Sequence, residues 1–562
     1  MHIRQRPASA DALERLRPAG LSPLLTRLCA ARGVESAEQL DHSLARLLPF
    51  APMRGIDAAA ARLAQAIAVQ QRIVIVGDYD ADGATATALG VLGLRALGAS
   101  VEFLVPDRLT LGYGLSPAVV EIAAELRPDL LVTVDNGIAA LDGVAAAHAR
   151  GIEVLVTDHH LAGSALPDCI IVNPNQPGCG FPSKCIAGVG VMFYVLMALR
   201  AQLRSIGILP ADGGPNLAQW LDIVALGTVA DMVRLDHNNR ILVAQGLERI
   251  RSGRARPGLL ALLRAGRRDP SRVTSTDLGF VAGPRLNAAG RIADMRIGID
   301  CLLADDASEA ERLAQRLDAL NRERRDLQAD MQREAEAALA GLAVADGASI
   351  CLFDPGWHAG IVGLLAGRIK DQHHRPTIVF AADDSGLLKG SGRSIAGLHL
   401  RDALDLIDRR HPGMIARFGG HAAAAGLSLP AEQVDAFASA FEQVCREQLD
   451  PASLARVIET DGELAPADCT LDAVRQLEQL VWGQGFPAPA FDGEFAVLEQ
   501  RALNGGHLKL WLQHGQERRE AILFGQAEPL PAHIRAVFTP SINEWNGRSS
   551  VQLQVQHWEP VK

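Results

Sequence analysis

The 562-residue sequence lacks paired cysteines, long apolar runs and an excess of positive charge, and each absence excludes a class of protein. Its eight cysteines are scattered without a CxxC pair, which argues against a structural zinc site and favours reduced thiols in the cytoplasm. The longest apolar stretch, Ile186–Leu199, is shorter than the roughly 20 residues that span a bilayer. No apolar signal region follows Met1. A formal charge of −10 excludes a generally basic nucleic-acid coat but leaves a local basic groove possible.

Short apolar runs alternate with Ala-rich segments of helical length between about residues 55 and 235. This alternation predicts βαβ units around a parallel sheet. Residues 1–50, which precede it, are predicted to be a small helical lead-in. The apolar runs are Ile73–Val76, Val101–Val105, Leu130–Val134, Val154–Val156 and Ile170–Val172.

Acidic residues directly follow three of these predicted strands. Because the carboxyl ends of parallel strands meet at one edge of a sheet, where open α/β folds bind their ligands, these side chains are expected to converge. Converging carboxylates repel one another unless a cation lies between them, so the pattern predicts a pair of divalent metal ions. The residues concerned are Asp78, Asp80, Asp82, Asp135, Asp158, His159 and His160.

Other interpretations of the single segments stay open. Residues 78–83 resemble a calcium loop, but Leu89 stands where that loop requires Glu, and a solvated acidic turn is a further alternative. Asp231, at the end of the stretch 226–230, is a fourth candidate ligand, although a helix-capping aspartate has the same pattern. Mixed Asp and His donors favour Mn²⁺ or Mg²⁺ over structural zinc. Two such ions would activate a water and neutralise a phosphoryl group, which predicts metal-assisted phosphoester hydrolysis.

The second half of the chain shows three further patterns. Residues 307–340 predict a long polar helix that bridges domains, with Ser308–Glu311 as its capping box; an ordinary surface helix is the alternative. Strand and helix signals resume at Ile350–Phe353 and Thr377–Phe380 and predict a second α/β domain. From about residue 460, four β-type runs and the Asn546-Gly547 hairpin signal predict either a small oligonucleotide-binding type of barrel or a β-sandwich.

Four segments combine glycine with Arg, Ser or His in a way that suits anion binding. The first turn of a helix offers free backbone N–H groups to a phosphate, and glycine lets the phosphate approach the backbone closely. Arginine can bind a phosphate through two parallel hydrogen bonds. Each segment alone is equally well a tight turn. A run of eight arginines against one acid in 249–272 predicts either a track for a nucleic-acid backbone or a solvated basic face. The four segments are 283–291, 357–363, 390–394 and 419–426.

In their order along the chain, the motifs resemble those of the DHH superfamily of phosphoesterases. The sequence of motifs, the long helix and the β-rich tail are similar to the RecJ group within that superfamily. Val76 stands where many other members have a histidine, which favours the RecJ group over the pyrophosphatases and small nanoRNases. The DHH-domain motifs are GDYDADG (77–83), DNG (135–137), DHH (158–160), GTVAD (227–231) and PRLNAAGR (284–291). The motifs of the associated DHHA1 domain are WHAGIVG (357–363), SGRS (391–394) and GGHAAAAG (419–426).

The resemblance implies an α/β fold with three main parts. A parallel-sheet DHH domain (51–306) is linked by a long helix (307–344) to a smaller α/β DHHA1 domain (345–450). The helical lead-in (1–50) precedes them, and an oligonucleotide-binding-like β-barrel (451–562) follows.

The resemblance also implies roles for single residues, and Asp158 is expected to orient its neighbours. His160 would contact the scissile phosphate, while Arg108, Ser391 and Arg393 would hold a 5′-terminal phosphate. The implied ligands of two Mn²⁺ or Mg²⁺ ions are Asp78, Asp80, Asp82, Asp135, His159 and Asp231. The implied catalytic residues are Asp135, His160 and Arg285. The implied substrate-binding residues are Arg108, Arg285, Asn287, Arg291, His358, Ser391, Arg393 and His421.

The implied activity is the 5′→3′ degradation of single-stranded DNA during DNA repair and recombination. The protein is expected to be a cytoplasmic monomer that meets a single-strand-binding protein and a RecQ-type helicase, and no membrane. One alternative is a phosphodiesterase for short RNA or cyclic dinucleotides, which the long chain and its β-rich end disfavour. The other is a non-catalytic scaffold, which the retention of every motif aspartate disfavours.

Overall fold

A computed structural model gives the structure of residues 2–107, 111, 113–340, 347–383 and 386–561. Its first elements are a strand and two short helices, where the sequence predicted helices alone. Ser9 and Ser22 cap the helices, each accepting a hydrogen bond from a backbone N–H three residues further on. These elements are β1 (His2–Gln5), α1 (Ala10–Leu16) and α2 (Pro23–Ala30).

All five predicted strands of the first α/β domain are present. The elements are α3 (Ile56–Ala68), β2 (Arg72–Gly77), α4 (Ala81–Ala96), β3 (Ser100–Leu104), α5 (Pro117–Glu125), β4 (Leu130–Val134), α6 (Leu141–Ala149), β5 (Glu153–Thr157), β6 (Ile170–Val172) and α7 (Gly188–Ser205). The strand order is β3-β2-β4-β5-β6, and every neighbouring pair is parallel. Helices α3, α4 and α7 cover one face of the sheet, and α5 and α6 cover the other. Burial on both faces explains why these strands are continuous apolar runs.

The longest apolar stretch of the sequence forms the buried helix α7. It packs against α3 and α4 in the core on one face of the sheet. Across the described residues, we find no helix long and apolar enough to cross a membrane.

A helical layer follows the sheet and carries one irregular rod. Its elements are α8 (Leu221–Ala230), α9 (His237–Arg251), α10 (Pro257–Ala265), α11 (Ser275–Asp277), a π-helix (Leu278–Ala282), α12 (Gly283–Ile292) and α13 (Arg296–Leu303). Helix α11, the π-helix and α12 run on without a break over residues 275–292. The π-helix in this rod packs against the C-terminal end of α8, where Gly279 lies beside Val229 and Gly283 beside Ala230.

The long helix α14 (Ala307–Leu339) bridges two domains, as its length and polarity predicted. Its first half buries Leu313 and Leu317 in the core of the helical layer, and its second half buries Met331 and Leu339 against the second α/β domain. The predicted capping box at Ser308 is wrong. Asp306 is the N-cap, and its side chain accepts the N–H of Glu309 at 2.9 Å.

The second α/β domain is a mixed five-stranded sheet. Its elements are β7 (Ile350–Phe353), α15 (Val362–His373), β8 (Thr377–Ala382), β9 (Leu387–Arg393), α16 (Leu400–Arg410), β10 (Arg417–Gly420), β11 (Ala424–Pro430) and α17 (Val434–Gln448). The strand order is β10-β11-β9-β8-β7, in which β7 and β8 alone are parallel. Residues 357–363 lead into α15 as predicted. Segments 390–394 and 419–426, which have the same glycine-rich character, instead lie on β9 and on the β10–β11 hairpin.

The C-terminal strands close into a five-stranded barrel, which decides against the β-sandwich. The barrel order is β13-β14-β15-β17-β16, and β13 was not predicted. The Asn546-Gly547 step forms the predicted hairpin turn, with φ values of 50° and 73°. The elements from residue 457 onward are β12 (Val457–Thr460), α18 (Leu471–Gln479), β13 (Phe491–Leu503), β14 (His507–His514), β15 (Glu517–Leu523), β16 (His533–Trp545) and β17 (Arg548–Pro560).

Strand β1 ties the start of the chain to the segment that precedes the barrel. It pairs in parallel with β12, so that His2 lies opposite Val457. Just beyond β12, the buried carboxylate of Asp461 binds the guanidinium of Arg32 at 2.8 Å and that of Arg6 at 3.1 Å. Backbone pairing and a buried ion pair therefore join segments 455 residues apart.

Candidate metal centre

Three aspartates lie directly after neighbouring strands, as the sequence predicted. Asp78 follows β2, Asp135 follows β4 and Asp158 follows β5. Because these strands are adjacent and parallel, their carboxyl ends place the three buried side chains along one edge of the sheet. The backbone of Asp135 has a φ of 61°. This left-handed conformation is unfavourable for a residue with a Cβ atom, and such strain is concentrated at functional sites.

Two helix N-termini fix the next two carboxylates. Asp80 is the N-cap of α4, and its Oδ1 accepts the N–H of Gly83 at 3.0 Å. The buried Asp82 accepts the N–H groups of Gly188 and Val189 at 2.6 and 2.9 Å. Those groups belong to the first turn of α7, whose positive end stabilises a carboxylate.

His159 lies among three of the carboxylates. Its Nε2 is 3.0, 3.6 and 3.8 Å from carboxylate oxygens of Asp135, Asp231 and Asp82. Asp231 is the residue at the C-terminal end of α8. Within the described ranges, three overlapping groups of donor atoms have all their atoms within 4.8 Å of one another. The groups are Asp78-Asp80-Asp135, Asp82-His159-Asp231 and Asp135-His159-His160.

This donor set fits a divalent cation. Oδ1 of Asp135 and Nε2 of His159 are buried, and neither makes a hydrogen bond. Polar atoms buried in this way destabilise a protein unless they gain a partner, and both atoms are metal donors that face one another. Gly188 leaves the space beside them open, because a Cβ atom at that position would come within 2.6 Å of the Asp135 carboxylate. Oxygen and imidazole donors without a thiolate suit Mn²⁺ or Mg²⁺.

The electrostatics of the cluster also favour a cation. Burial raises the pKa of Asp82 to about 7. Burial and the charge of Asp82 raise the pKa values of Asp135 and Asp231 well above the usual range. Burial, and then the charge of His160, lower the pKa of His159 to about 4, which keeps this imidazole neutral and able to bind a metal. Positive charge between these groups would stabilise the ionised carboxylates.

Asp158 orients the two histidines, as expected, and belongs to none of the three donor groups found among the described residues. Its Oδ1 accepts the backbone N–H groups of His159 and His160 and lies 2.8 Å from Nδ1 of His160. Its Oδ2 accepts the N–H of Ile138 at 2.9 Å. Burial opposes the protonation of His160, but the hydrogen bond and charge of Asp158 raise the pKa of this imidazole to about 9.

Tyr113 belongs to the site, although the sequence reasoning did not single it out. Its hydroxyl lies 3.1 Å from the carbonyl oxygen of Asp135 and 3.2 Å from Nδ1 of His160. Its ring packs edge-on against Tyr79, with centroids 6.2 Å apart. The chain has only three tyrosines, and two of them lie here, so the scarcity of this residue type was the available signal.

The second α/β domain faces the cluster from the opposite side. The ring of His421, in the turn between β10 and β11, stacks on that of His160 with centroids 6.3 Å apart and planes 12° apart. On α12, Arg291 donates to the carbonyl of Gly360 at 3.1 Å. His358, two residues before that glycine, accepts its N–H at 3.0 Å. The structure thus brings His421, His358 and Arg291 to the boundary between the two domains.

Ser391 and Arg393 lie together beside the first turn of α15. Arg393 donates to the hydroxyl of Ser391 at 3.1 Å. A Cβ atom at Gly363 would lie 2.8 Å from that hydroxyl and 3.0 Å from the guanidinium, so glycine is what allows the helix to approach. A helix N-terminus beside an arginine and a hydroxyl has the chemistry of a phosphate site.

Two residues of the motif at 284–291, Asn287 and Arg285, make contacts that position helix α12. Asn287 accepts the N–H of Ala81 at 2.8 Å, which ties α12 to the start of α4 between the two ligand candidates there. Arg285 binds the carboxylate of Asp318 on α14 at 2.7 Å. A direct contact of Arg285 with substrate therefore stays a prediction. Arg108 lies outside the described residues.

Several arginines of the run 249–272 make structural contacts. Arg251 donates to the Val273 carbonyl, and Arg256 donates to the Leu303 carbonyl. Arg272 pairs with Glu544 of the barrel at 2.5 Å. These side chains anchor helices to one another and to the barrel, so the run does not present eight free guanidinium groups to a nucleic acid.

The sequence and the structure were compared with those of known proteins, and the matches include proteins with bound Mn²⁺ or Mg²⁺. Residues 72–228 match the model of the DHH family N-terminal domain, residues 344–447 that of the DHHA1 domain, and residues 460–557 that of the RecJ OB domain. A relative from Dickeya dadantii (strain 3937), named single-stranded-DNA-specific exonuclease RecJ, is 49% identical over 574 residues, covering 100% of this chain and 99% of its own. The crystal structure of RecJ in complex with Mn²⁺ from Thermus thermophilus matches with a TM-score of 0.84 and 31% identity, over 100% of this chain and 79% of that one. The complex of the same protein with Mg²⁺ matches with a TM-score of 0.78 and 30% identity, over 100% and 78%.

Proposed function

The chain belongs to the RecJ family, and on that premise we propose that it is a metal-dependent exonuclease that degrades single-stranded DNA in the 5′→3′ direction. The observation that carries the proposal is the buried Asp and His cluster at the ends of β2, β4 and β5, which His421 faces from the second domain. The proposed biological role is in DNA repair and recombination.

We infer that two Mn²⁺ or Mg²⁺ ions bind this centre. The ligands we propose are Asp78, Asp80, Asp82, Asp135, His159 and Asp231, and Asp135 belongs to two of the donor groups. When bound, the ions supply a water activated for attack and neutralise the charge that develops on the phosphate. The orphaned donor atoms of Asp135 and His159 support this assignment.

His160 is the residue that we propose stabilises the scissile phosphate. Its Nδ1 is held by Asp158, so its Nε2 is the nitrogen left to donate to a phosphate oxygen. The raised pKa keeps the ring protonated at neutral pH, and a charged donor in a partly buried site stabilises a developing negative charge strongly. Stacking of His421 on the same ring limits its rotation.

Ser391 and Arg393 are proposed to hold the 5′-terminal phosphate at the start of α15. Capture of the strand end at a fixed place beyond the metals would restrict cleavage to one end of the DNA. The further substrate contacts that we propose are Arg108, Arg285, Asn287, Arg291, His358 and His421.

The arrangement of domains supports a preference for single strands. The metal centre lies where two α/β domains joined by one helix face each other, and a flexible strand enters such a space more easily than a stiff duplex. The barrel would add binding to the rest of the strand, which is the usual role of this type of barrel.

The cellular context and the domain boundaries that we propose follow from membership of the family. We propose a cytoplasmic monomer that works beside a single-strand-binding protein and a RecQ-type helicase. The proposed domains are the lead-in (1–50), the DHH domain (51–306), the connecting helix (307–344), the DHHA1 domain (345–450) and the barrel domain (451–562).

Two end-labelled strands test the function. With Mn²⁺, a 5′-labelled single strand should lose its label as a mononucleotide from the start, while a 3′-labelled strand should shorten progressively. A chelator should abolish both reactions. The Asp135→Ala variant should bind the strand and leave it intact.

The rival functions predict different outcomes. Faster hydrolysis of short RNA or cyclic dinucleotides than of single-stranded DNA would support a small-substrate phosphodiesterase. Binding of DNA without cleavage in the presence of Mn²⁺ would support a scaffold. Label loss from the 3′ end first would overturn the proposed polarity.

A further inference from the structure

Two large apolar side chains are exposed beside the metal centre. Phe280 is 77% exposed and Met232 is 66% exposed, and no other large apolar side chain in the described part of the chain is exposed to a greater extent. Single exposed apolar residues are common on proteins, so exposure alone means little. The backbone and the location of these two residues distinguish them.

Both residues lie in unusual backbone. Met232 directly follows the ligand candidate Asp231 and has a φ of 59°, which is uncommon for a residue other than glycine. Phe280 is the central residue of the π-helix, a rare conformation that occurs frequently at functional sites. In both cases, irregular backbone directs a large apolar side chain into solvent.

The π-helix lies against the end of α8 that carries the metal ligand. Gly279 and Gly283 flank Phe280 on the side that packs on α8. A Cβ atom at Gly283 would lie 3.1 Å from the Cβ of Ala230, the residue before Asp231. The π-helix backbone that carries Phe280 therefore packs on the last turn of α8, directly before Asp231.

The other side of this region contacts the segment that leads into the barrel. The hydroxyl of Ser275, at the start of the rod, donates to the carbonyl of Trp482 at 2.6 Å. The N–H of Leu235, three residues after Met232, donates to the carbonyl of Gln484 at 2.7 Å. Residues 482–484 precede β13, so the segments that carry Phe280 and Met232 are joined, a few residues away, to the connection that leads into the barrel.

We propose that Phe280 and Met232 form an apolar shelf on which bases of the single strand stack as the strand passes from the barrel to the metal centre. The proposal deepens, and rests on, the proposed exonuclease function. Stacking needs an exposed base face, which a single strand offers and a duplex does not, because its bases already stack on one another. Every base has such a face, so the shelf would select single strands without selecting sequence. The thioether of Met232 adapts its shape to a ring, which suits a surface that meets all four bases.

The contribution of the shelf to DNA affinity can be measured in the presence of a chelator, which prevents cleavage of the bound strand. The probe is a 5′-phosphorylated, fluorescent oligothymidylate, and its Kd is read by anisotropy. Phe280→Ala should raise the Kd about tenfold, the loss of one stacked base, and Phe280→Trp should restore it. Met232→Ala should raise the Kd severalfold. Since both side chains are exposed, the thermal unfolding midpoints of the variants should equal that of the wild type.

Ile206→Ala is the matched control. Ile206 is also an exposed apolar residue, but it lies at the far end of α7, whose 18 residues span about 27 Å from the turn that holds Asp82. Its Kd should match that of the wild type. A similar loss of affinity in this variant would mean that the effect is general to apolar truncation, and would overturn the shelf.

A series of strands with one abasic position each locates the contact. In the wild type, affinity should fall when the missing base is the one on the shelf. In Phe280→Ala, removal of that same base should have no further effect. If no position couples to Phe280 while the wild type still cleaves single-stranded DNA with Mn²⁺, the shelf is wrong and the exonuclease stands. If the wild type neither binds nor cleaves the strands, both proposals fail.

Discussion

His159 and His160 are adjacent in the chain, yet their surroundings shift their pKa values in opposite directions. Burial lowers the pKa of His159 to about 4, whereas the contact with Asp158 raises that of His160 to about 9. The difference arises because the Asp158 carboxylate reaches the ring of one histidine and only the backbone of the other. One carboxylate therefore allows two identical side chains to serve as a neutral ligand and a cationic phosphate contact.

Replacing Asp158 with Asn should change both the rate and its dependence on pH. We expect kcat to fall roughly 10- to 100-fold, the usual effect of losing a group that orients an active-site side chain. His160 acts as a cation, which exists below its pKa, and loss of Asp158 lowers that pKa. The alkaline limb of the pH–rate profile should therefore move to lower pH, as measured from initial rates on a single strand with Mn²⁺. An alkaline limb at the wild-type position would contradict this role for Asp158.

Asp135 should destabilise the metal-free protein and stabilise the metal-bound one. In chelator, Asp135→Asn should raise the thermal unfolding midpoint, because burial first, and then the charges of neighbouring carboxylates, oppose the ionisation of Asp135 and raise its pKa. With saturating Mn²⁺ the order should reverse, since the wild type gains more stability from ligand binding. Differential scanning fluorimetry under both conditions measures the change.

Asp212→Asn is the control for this reversal, because Asp212 is exposed and remote from the cluster in the sequence. It should leave the midpoint unchanged in both conditions. If Asp135→Asn were less stable than the wild type in chelator as well, the cost of burying this carboxylate among others would not be the dominant effect.

Among the elements, the strands buried on both faces were the ones that sequence could predict. Their continuous apolar runs stand out, and two of the five were predicted to the residue, Leu130–Val134 and Ile170–Val172. The glycine-rich segments of β9 and β10 were interpreted as anion-binding segments or tight turns and not as strands, because glycine carries no strand signal of its own. Strand β13 was missed since a bulge between Val497 and Glu499 breaks its alternation.

The same distinction holds for the site. The aspartates at strand ends follow from the order of strands, so their convergence could be predicted from local pattern. Tyr113 reaches the site through packing between distant segments, which no local pattern contains, whereas Asn287 was expected there from the family resemblance alone. The shelf at Phe280 depends on a π-helix, and that irregularity has no sequence signal comparable to the apolar runs.

The cap of α14 gives a test at the level of one helix. Asp306→Ala should speed hydrogen exchange of the amides in the first turn of α14 about fivefold, because it removes the acceptor for the N–H of Glu309. Ser308→Ala should have a much smaller effect, since Ser308 bonds the cap residue and not the backbone. Exchange followed by mass spectrometry resolves the two variants. Equal effects of the two substitutions would contradict the assignment of the N-cap to Asp306 and would indicate that Ser308 caps the helix as well.

In the whole molecule, two connections hold the domains together. One is the long helix α14, and the other is the contact of the first strand with the segment before the barrel. The long helix joins the two α/β domains, and β1 with Arg6 and Arg32 joins the lead-in to the segment before the barrel. The chain connection between the second domain and the barrel is thus attached to the lead-in, which shares a core with the helical layer. This second attachment fixes the barrel beside the helical layer.

Asp461→Ala should loosen that attachment. Removing the carboxylate leaves the buried guanidinium of Arg32 without its partner, which typically destabilises by about 3–5 kcal/mol. We expect a lower first thermal transition and faster proteolysis between about residues 450 and 462. Glu459→Ala is the control, since Glu459 is exposed and its pairs with Arg4 and Arg6 contribute less than about 1 kcal/mol each. Equal losses from both variants would contradict the buried pair as the main tie.

The pairing of β1 with β12 also sets an order of events at the ribosome. His2 can pair only after Val457 has been synthesised, and a ribosome adds about 5–20 residues per second, so this interval is roughly 20 to 90 s. The parallel sheet and α14 can form meanwhile from residues already made. The first strand of the chain is therefore among the last to be placed, and until then it is an unpaired edge that a chaperone or a neighbouring nascent chain can bind.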